Sequence, residues 1–189
     1  MKSYLLATVA FAVLAAAPVA LAQTVVPADH FKSIELRGGG HVTLRYGAVQ
    51  RVTLTEGSTQ YTTIKVGDSG KLVIDVCNND CPMHYDLEIE IVTPEVGGVA
   101  VSGGGVIESA DGFPHQDSVS AAVEGGGRID LRTVDAASAN AAVDGGGKIL
   151  VKAERSLMAA VDGGGSITYW GDPAVSSAID GGGSVRKGS

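Results

Sequence analysis

Six Gly-Gly-Gly triplets constrain this chain more than any other feature of its sequence. They lie at residues 38–40, 103–105, 125–127, 145–147, 163–165 and 181–183. From the second triplet onward the spacing is 22, 20, 18 and 18 residues, a period typical of stacked repeat proteins. The first interval of 65 residues has room for about three less regular units of similar length.

The residues that flank the triplets repeat as well. The segments AAVE, AAVD, AAVD and SAID precede four successive triplets. Two apolar positions recur, one at Val101, Val123, Val143, Val161 and Ile179, and the other at Ile107, Ile129, Ile149, Ile167 and Val185. Apolar and polar residues alternate between them with the period of two that is typical of strands. We therefore predict an all-β chain.

A repeat of about 18–22 residues with two short strands cannot bury its apolar face alone. Successive repeats must stack in register about 4.8 Å apart, which predicts a single parallel β-helix over residues 24–189. The triplets should form its corners, because glycine in a strand interior costs about 0.5–1 kcal/mol relative to alanine. At a corner, glycine adopts positive φ and lets neighbouring turns approach closely.

The first 22 residues differ from the rest of the chain. Lys2 provides a basic start, residues 5–17 are apolar, and Ala20-Leu21-Ala22 is typical of a cleavage site. We predict a Sec-type signal peptide over residues 1–22 and a periplasmic, secreted or cell-surface location. No later stretch has the roughly 18 apolar residues of a spanning helix, and no cysteine follows the cleavage site to suggest a lipid anchor.

Composition excludes some classes of protein. The chain has 14 basic and 21 acidic residues and a formal net charge of −7, whereas nucleic-acid binding needs clustered Lys and Arg. With 44% hydrophobic residues, the chain is too apolar for a disordered protein, and its length suits one domain.

The repeats AAVEGGGRIDL, AAVDGGGKILV and AAVDGGGSITY resemble the family "putative auto-transporter adhesin, head GIN domain". The closing segment TYWGDPAVSSAIDGGGSV and the opening pattern Phe31-x-x-Ile34-x-Leu36-x-Gly38 are similar to that family too. The resemblance implies a right-handed β-helix of the bacterial envelope and a role in adhesion, with no established activity. An autotransporter carries a membrane barrel after its passenger; none precedes Ser189, so we expect surface display to need another protein.

The stacked repeats would place four acidic side chains in a column on the outer face. These are Glu124, Asp144, Asp162 and Asp180. Carboxylates about 5 Å apart repel one another, which favours a counter-ion, and calcium accepts such oxygen ligands. Calcium at Asp144, Asp162 and Asp180 is one interpretation; acidic residues that precede glycine in a solvated turn are the other.

Two cysteines lie four positions apart in a polar turn, at Cys77 and Cys81. In an oxidising compartment they should form a disulfide. The alternative is a Cu(I) site that adds Met83 and His84, because thiolate, thioether and imidazole ligands suit that ion.

One aromatic side chain is a candidate for ligand contact. Alternation from Ile167 points Trp170 outward, beside Asp172. A cap over a corner or a contact in the end rung is the alternative explanation of Trp170.

We considered three functions. The first is a non-enzymatic envelope protein that binds a protein or glycan through Glu124, Asp144, Asp162, Asp180, Trp170 and Asp172. The second is a scaffold that self-associates through the ends of the stack, for which Thr24 to Phe31 and Arg186-Lys187 are candidate caps. The third is a carbohydrate-active enzyme that uses Asp130, Arg132 and Lys152. Of these, Arg132 and Lys152 are predicted to occupy the same repeat position.

Overall fold

The computed structural model describes residues 23–78 and 81–189, so the predicted signal peptide lies outside the described residues. Fifteen strands form one sheet, and the described residues contain no helix. The prediction of an all-β chain is therefore confirmed. The strands are β1 (Thr24–Val26), β2 (Ser33–Gly38), β3 (His41–Tyr46), β4 (Arg51–Glu56), β5 (Thr62–Val66), β6 (Lys71–Val76), β7 (Glu88–Thr93), β8 (Gly98–Gly103), β9 (Val106–Ser109), β10 (Gln116–Gly125), β11 (Arg128–Gly145), β12 (Lys148–Gly163), β13 (Ser166–Trp170), β14 (Ala174–Asp180) and β15 (Ser184–Lys187).

Each repeat, which we call a rung, consists of a strand, a glycine triplet and a second strand. The strands before the triplets pair in parallel, for example β10 with β11 and β11 with β12, and form the first wall. The strands after the triplets also pair in parallel, for example β12 with β13, and form the second wall. Equivalent repeat residues are direct partners, since Val143 pairs with Val161 and Gly145 with Gly163.

The first glycine of every triplet has positive φ, as at Gly145 (106°) and Gly163 (101°). The third glycine contacts the interior: a Cβ on Gly147 would lie 2.4 Å from a methyl carbon of Val123. The backbone conformation therefore requires glycine at the first position of the turn, and the lack of space requires it at the third.

The two recurring apolar positions point into the space between the walls. Val101, Val123, Val143 and Val161 are at most 2% exposed, and Ile107, Ile129, Ile149 and Ile167 are fully buried. Burial of each such side chain contributes about 1.5–3 kcal/mol. Ile179, in the last rung, is an exception with 47% exposure, because among the described residues β14 pairs with β12 alone and its other side is uncovered.

Between the first two triplets, the chain does not add parallel rungs in sequence order. β8 pairs directly with β2, and the rung of β6 and β7 lies on the opposite side of β2 and β3. Beyond it, β4 pairs antiparallel with β7, and β5 pairs antiparallel with β6. The expectation of similar successive units is wrong here because a tight turn at Gly67–Gly70 joins β5 to β6, and short turns connect antiparallel strands.

The predicted caps have different outcomes at the two ends. At the N-terminal end, β1 pairs antiparallel with β4, and Phe31 is buried, with its backbone hydrogen-bonded to the Gln50 side chain. At the other end, Arg186 and Lys187 do not cover the stack. They pair with β13 as part of the last rung.

Candidate functional site

The acidic side chains predicted to form a column are direct neighbours on the first wall. Glu124 pairs with Asp144, Asp144 with Asp162, and Asp162 with Asp180, and all four are exposed. Among the described residues, none of the four takes part in a salt bridge. Arg128, across the turn from Glu124, bonds Asp130 instead, at 2.7 Å. The column is thus a line of uncompensated negative charge.

A column of alanines runs beside the acidic one, two residues earlier in each strand. Ala122, Ala142, Ala160 and Ala178 are exposed, and Ala100 continues their line. Because these side chains are small, they form the floor of an open groove of about 600 Å³. The side of the groove away from the acids is formed by Ser120, Asn140, Met158 and Ser176. A further depression of about 450 Å³ continues along Glu124 to Asp180. We call the groove and this depression together the wall groove.

Sequence reasoning missed the wall groove because it followed the buried positions of the repeat. The signal was present, since alanine recurs at one outward-facing position of four successive repeats. Surface alanine recurring at a fixed repeat position, where the fold leaves the side chain free, is a pattern that reveals a flat wall.

The structure does not gather a metal centre at the acidic column. In residues 23–78 and 81–189, no group of three or more His, Cys, Asp or Glu side chains is placed to hold a metal ion. Calcium at Asp144, Asp162 and Asp180 therefore remains a prediction that rests on the spacing of the column alone.

The disulfide between Cys77 and Cys81 is confirmed. It lies in the segment between β6 and β7, which also contains Tyr85. The Tyr85 ring packs edge-on against Tyr61, and its hydroxyl lies 2.7 Å from that of Thr62. The predicted Cu(I) alternative is wrong because both sulfurs are consumed by the disulfide, and Met83 is 96% exposed.

Trp170 is held in place by its neighbours. The Arg132 guanidinium lies 5.2 Å from the ring centre, and Gly188 lies so close that an added Cβ would meet the indole at 2.3 Å. Asp172 is exposed and pairs with Lys187. Neither residue borders the wall groove, so the structure does not bring them together with the acidic column.

The three residues considered for a carbohydrate-active enzyme do not line the wall groove. Asp130 accepts hydrogen bonds from Arg128 and Arg132. Burial raises the pKa of Asp130, but these hydrogen bonds lower it more, so that its pKa lies below the ordinary value. Lys152 is opposite Asp135, which it bonds at 2.7 Å, and not opposite Arg132. The shared repeat position predicted for Arg132 and Lys152 is wrong because the register shifts between Leu131 and Asp135.

Among the described residues, no helix is long and apolar enough to cross a membrane. Residues 115–173 match the model of the family described as "Putative auto-transporter adhesin, head GIN domain". The resemblance inferred from the repeats is therefore confirmed. No curated protein matches this sequence.

Several solved structures are similar to this chain. A putative adhesin from Bacteroides fragilis is 17% identical with a TM-score of 0.54, and the match covers 88% of this chain and 96% of that one. A putative adhesin from Parabacteroides distasonis is 16% identical with a TM-score of 0.43 (88% and 96% covered). A putative lipid binding protein from the same species is 17% identical with a TM-score of 0.39 (89% and 96% covered). The first of these shows a shared fold, and the other two add nothing to it.

Proposed function

We propose that this chain is an exported, non-enzymatic β-helical protein that binds a protein or glycan of the cell envelope through the wall groove. Adhesion is the role that the matched family suggests. Export rests on the signal peptide predicted over residues 1–22, which would deliver the repeats to the periplasm or cell surface.

Two observations support a right-handed parallel β-helix. Equivalent residues of successive rungs pair in parallel on both walls. Parallel strands in one sheet that are joined by a crossover are connected with right-handed sense in about 98% of cases. A helical path of this kind brings each strand back onto the same wall, one rung further along.

The wall groove is the single observation on which the binding function rests. Its floor is built from exposed alanines, and those of β10, β11 and β12 lie on strands that are hydrogen-bonded on both sides, so most of the surface is rigid before a partner arrives. A preorganised surface loses little conformational entropy on binding. Serine and asparagine on one margin and carboxylates on the other offer hydrogen bonds to a polar chain lying along the floor.

The absence of enzymatic activity is part of the proposal. Asp130, the carboxylate that the enzyme alternative needs, is bound by two guanidinium groups. Its lowered pKa keeps it ionised, which suits an ion pair and does not suit a general acid.

The test is co-sedimentation of the chain from Gln23 onward with cell envelopes of its host, in calcium and again in chelator. We expect saturable retention relative to envelope-free controls. Loss of retention in chelator alone would make the acidic column the leading site, and alanine substitutions there would be the next test. If no retention occurred in either buffer, envelope binding would be refuted.

A further inference from the structure

The last rung, β14 and β15, leaves part of the apolar interior open. Val175 and Ile179 are 41% and 47% exposed, whereas their partners in the preceding rung, Leu157 and Val161, are 0% and 2% exposed. Val185 of β15 is only partly buried against the core. Three side chains in core positions of the repeat therefore lie at an uncovered end.

The backbone of β14 is open at the same place. In the first wall, the Ser120 N–H donates to Gly97 of the preceding rung, and Ser120 is in register with Ser176 through β11 and β12. Because N–H and C=O groups alternate in direction along a parallel strand, those of Val175, Ser177 and Ile179 point away from β12. Among the described residues, β14 pairs with β12 alone.

The two ends of the stack are different. At the N-terminal end, the antiparallel strands β4 and β5 cover the parallel rungs. β14 has few of the usual protections of an edge strand, since over seven residues it contains no lysine and no proline, and its one charged residue is Asp180 at its end. In β15 the edge does carry charge, at Arg186 and Lys187.

We propose that this end binds a second copy of the chain, with two β14 strands paired antiparallel across a two-fold axis. Such pairing would satisfy the outward N–H and C=O groups and join the two apolar interiors into one. A second copy fits because it brings an identical apolar end surface. Because a two-fold interface uses the same edge of both copies, each copy's β14 edge is occupied in the dimer and the assembly stops at two.

The charges at this end also favour the two-fold arrangement. Asp180 lies at the end of β14, next to the glycine triplet 181–183. Arg186 lies near the end of β15, toward the opposite corner of the rung, where residues 171–173 join β13 to β14. A two-fold axis that pairs β14 with β14 places the triplet corner of one copy over the opposite corner of the other. Asp180 of each copy would then lie near the corner of the other copy that holds Arg186 and the Lys187–Asp172 ion pair, three residues whose net charge is positive.

The test is the mass of the chain from Gln23 onward, measured by analytical ultracentrifugation over a concentration series. We expect a monomer–dimer equilibrium. Two variants should weaken it by about tenfold or more: Ile179→Lys, which puts a charge in the joined core, and Ser177→Pro, which removes an outward N–H. Ser176→Lys, whose side chain lies on the outer wall, is the matched control and should remain dimeric. Thermal unfolding of each variant establishes that it is folded.

Three outcomes would overturn the proposal. A monomer at every concentration would exclude a second copy as the occupant of this edge. A dimer that persists in both Ile179→Lys and Ser177→Pro would place the contact elsewhere. Growth beyond two copies would contradict the two-fold axis. Because mass is measured without envelopes, these outcomes are independent of the proposed adhesion.

Discussion

A Cβ added to Gly163 would lie 2.9 Å from the carbonyl oxygen of Gly145, the equivalent glycine of the preceding rung. The same approach recurs between Gly145 and Gly125, also at 2.9 Å. The spacing of neighbouring rungs at the turn is therefore set by backbone against backbone. Gly164, the next residue, has no atom within 4 Å of an added Cβ.

This contrast predicts different effects for two adjacent substitutions. Gly163→Ala places a side chain at φ 101° and against a carbonyl oxygen, which should lower the free energy of unfolding by about 1–3 kcal/mol. Gly164→Ala, the matched control, should change it by less than about 0.5 kcal/mol. Thermal and denaturant unfolding measure both. Equal effects of the two substitutions would contradict the close stacking of turns.

The ion pairs of Asp130 should make the stability of the fold depend on pH. Its pKa is lower in the folded chain than its ordinary value, so its ion pairs stabilise the fold above about pH 4 and this stabilisation is lost as the pH falls further. Asp130→Asn should therefore lower the melting temperature at pH 7, and its difference from the parent should shrink toward pH 3. Asp111→Asn, at an exposed carboxylate outside any salt bridge among the described residues, is the control and should show no such convergence.

Removal of the disulfide should have a modest effect. Closing so short a loop contributes about 2 kcal/mol on the chain-entropy estimate. We expect the Cys77→Ser, Cys81→Ser double variant to unfold a few degrees below the parent and to be insensitive to reductant, whereas reductant lowers the parent to the same temperature. Thiol titration of the untreated parent should find no free cysteine, and two free thiols would rule the disulfide out.

The acidic column predicts an effect of ionic strength. Asp162 lies between Asp144 and Asp180, so Asp162→Asn removes two repulsions and should raise the melting temperature at low salt. The gain should disappear at high salt, where the charges are screened. Asp68→Asn, in an exposed turn, is the control. A lower melting temperature for Asp162→Asn in millimolar calcium than for the parent would instead favour a bound cation.

The sequence predicted the regular repeats because each of their features has a single physical explanation. The alternation of apolar and polar residues around Val143 and Val161 predicts that these side chains are buried. The glycines at 145 and 163 predict turns directly after them. The segment between the first two triplets could not be predicted in the same way. Its reversal depends on the turn at Gly67–Gly70, and a local turn does not indicate which rung the following strand joins.

The candidate site was only partly predictable for a related reason. The acidic column follows directly from register, since Asp144 and Asp162 occupy one repeat position. Trp170 could not be placed from alternation alone, because its contacts with Arg132 and Gly188 come from other rungs. The register shift after Leu131, which separates Arg132 from Lys152, likewise leaves no mark in the spacing of the triplets.

Binding through the wall groove is tested most directly by the envelope retention of Ala142→Arg, which fills the floor of the groove. Thr43→Arg, on the outer side of the second wall, adds the same side chain and charge away from the groove and serves as the matched control. We expect Ala142→Arg to lose saturable retention while Thr43→Arg and the parent keep it, with all three equally folded. Retention of Ala142→Arg at the level of the parent would contradict binding through the wall groove.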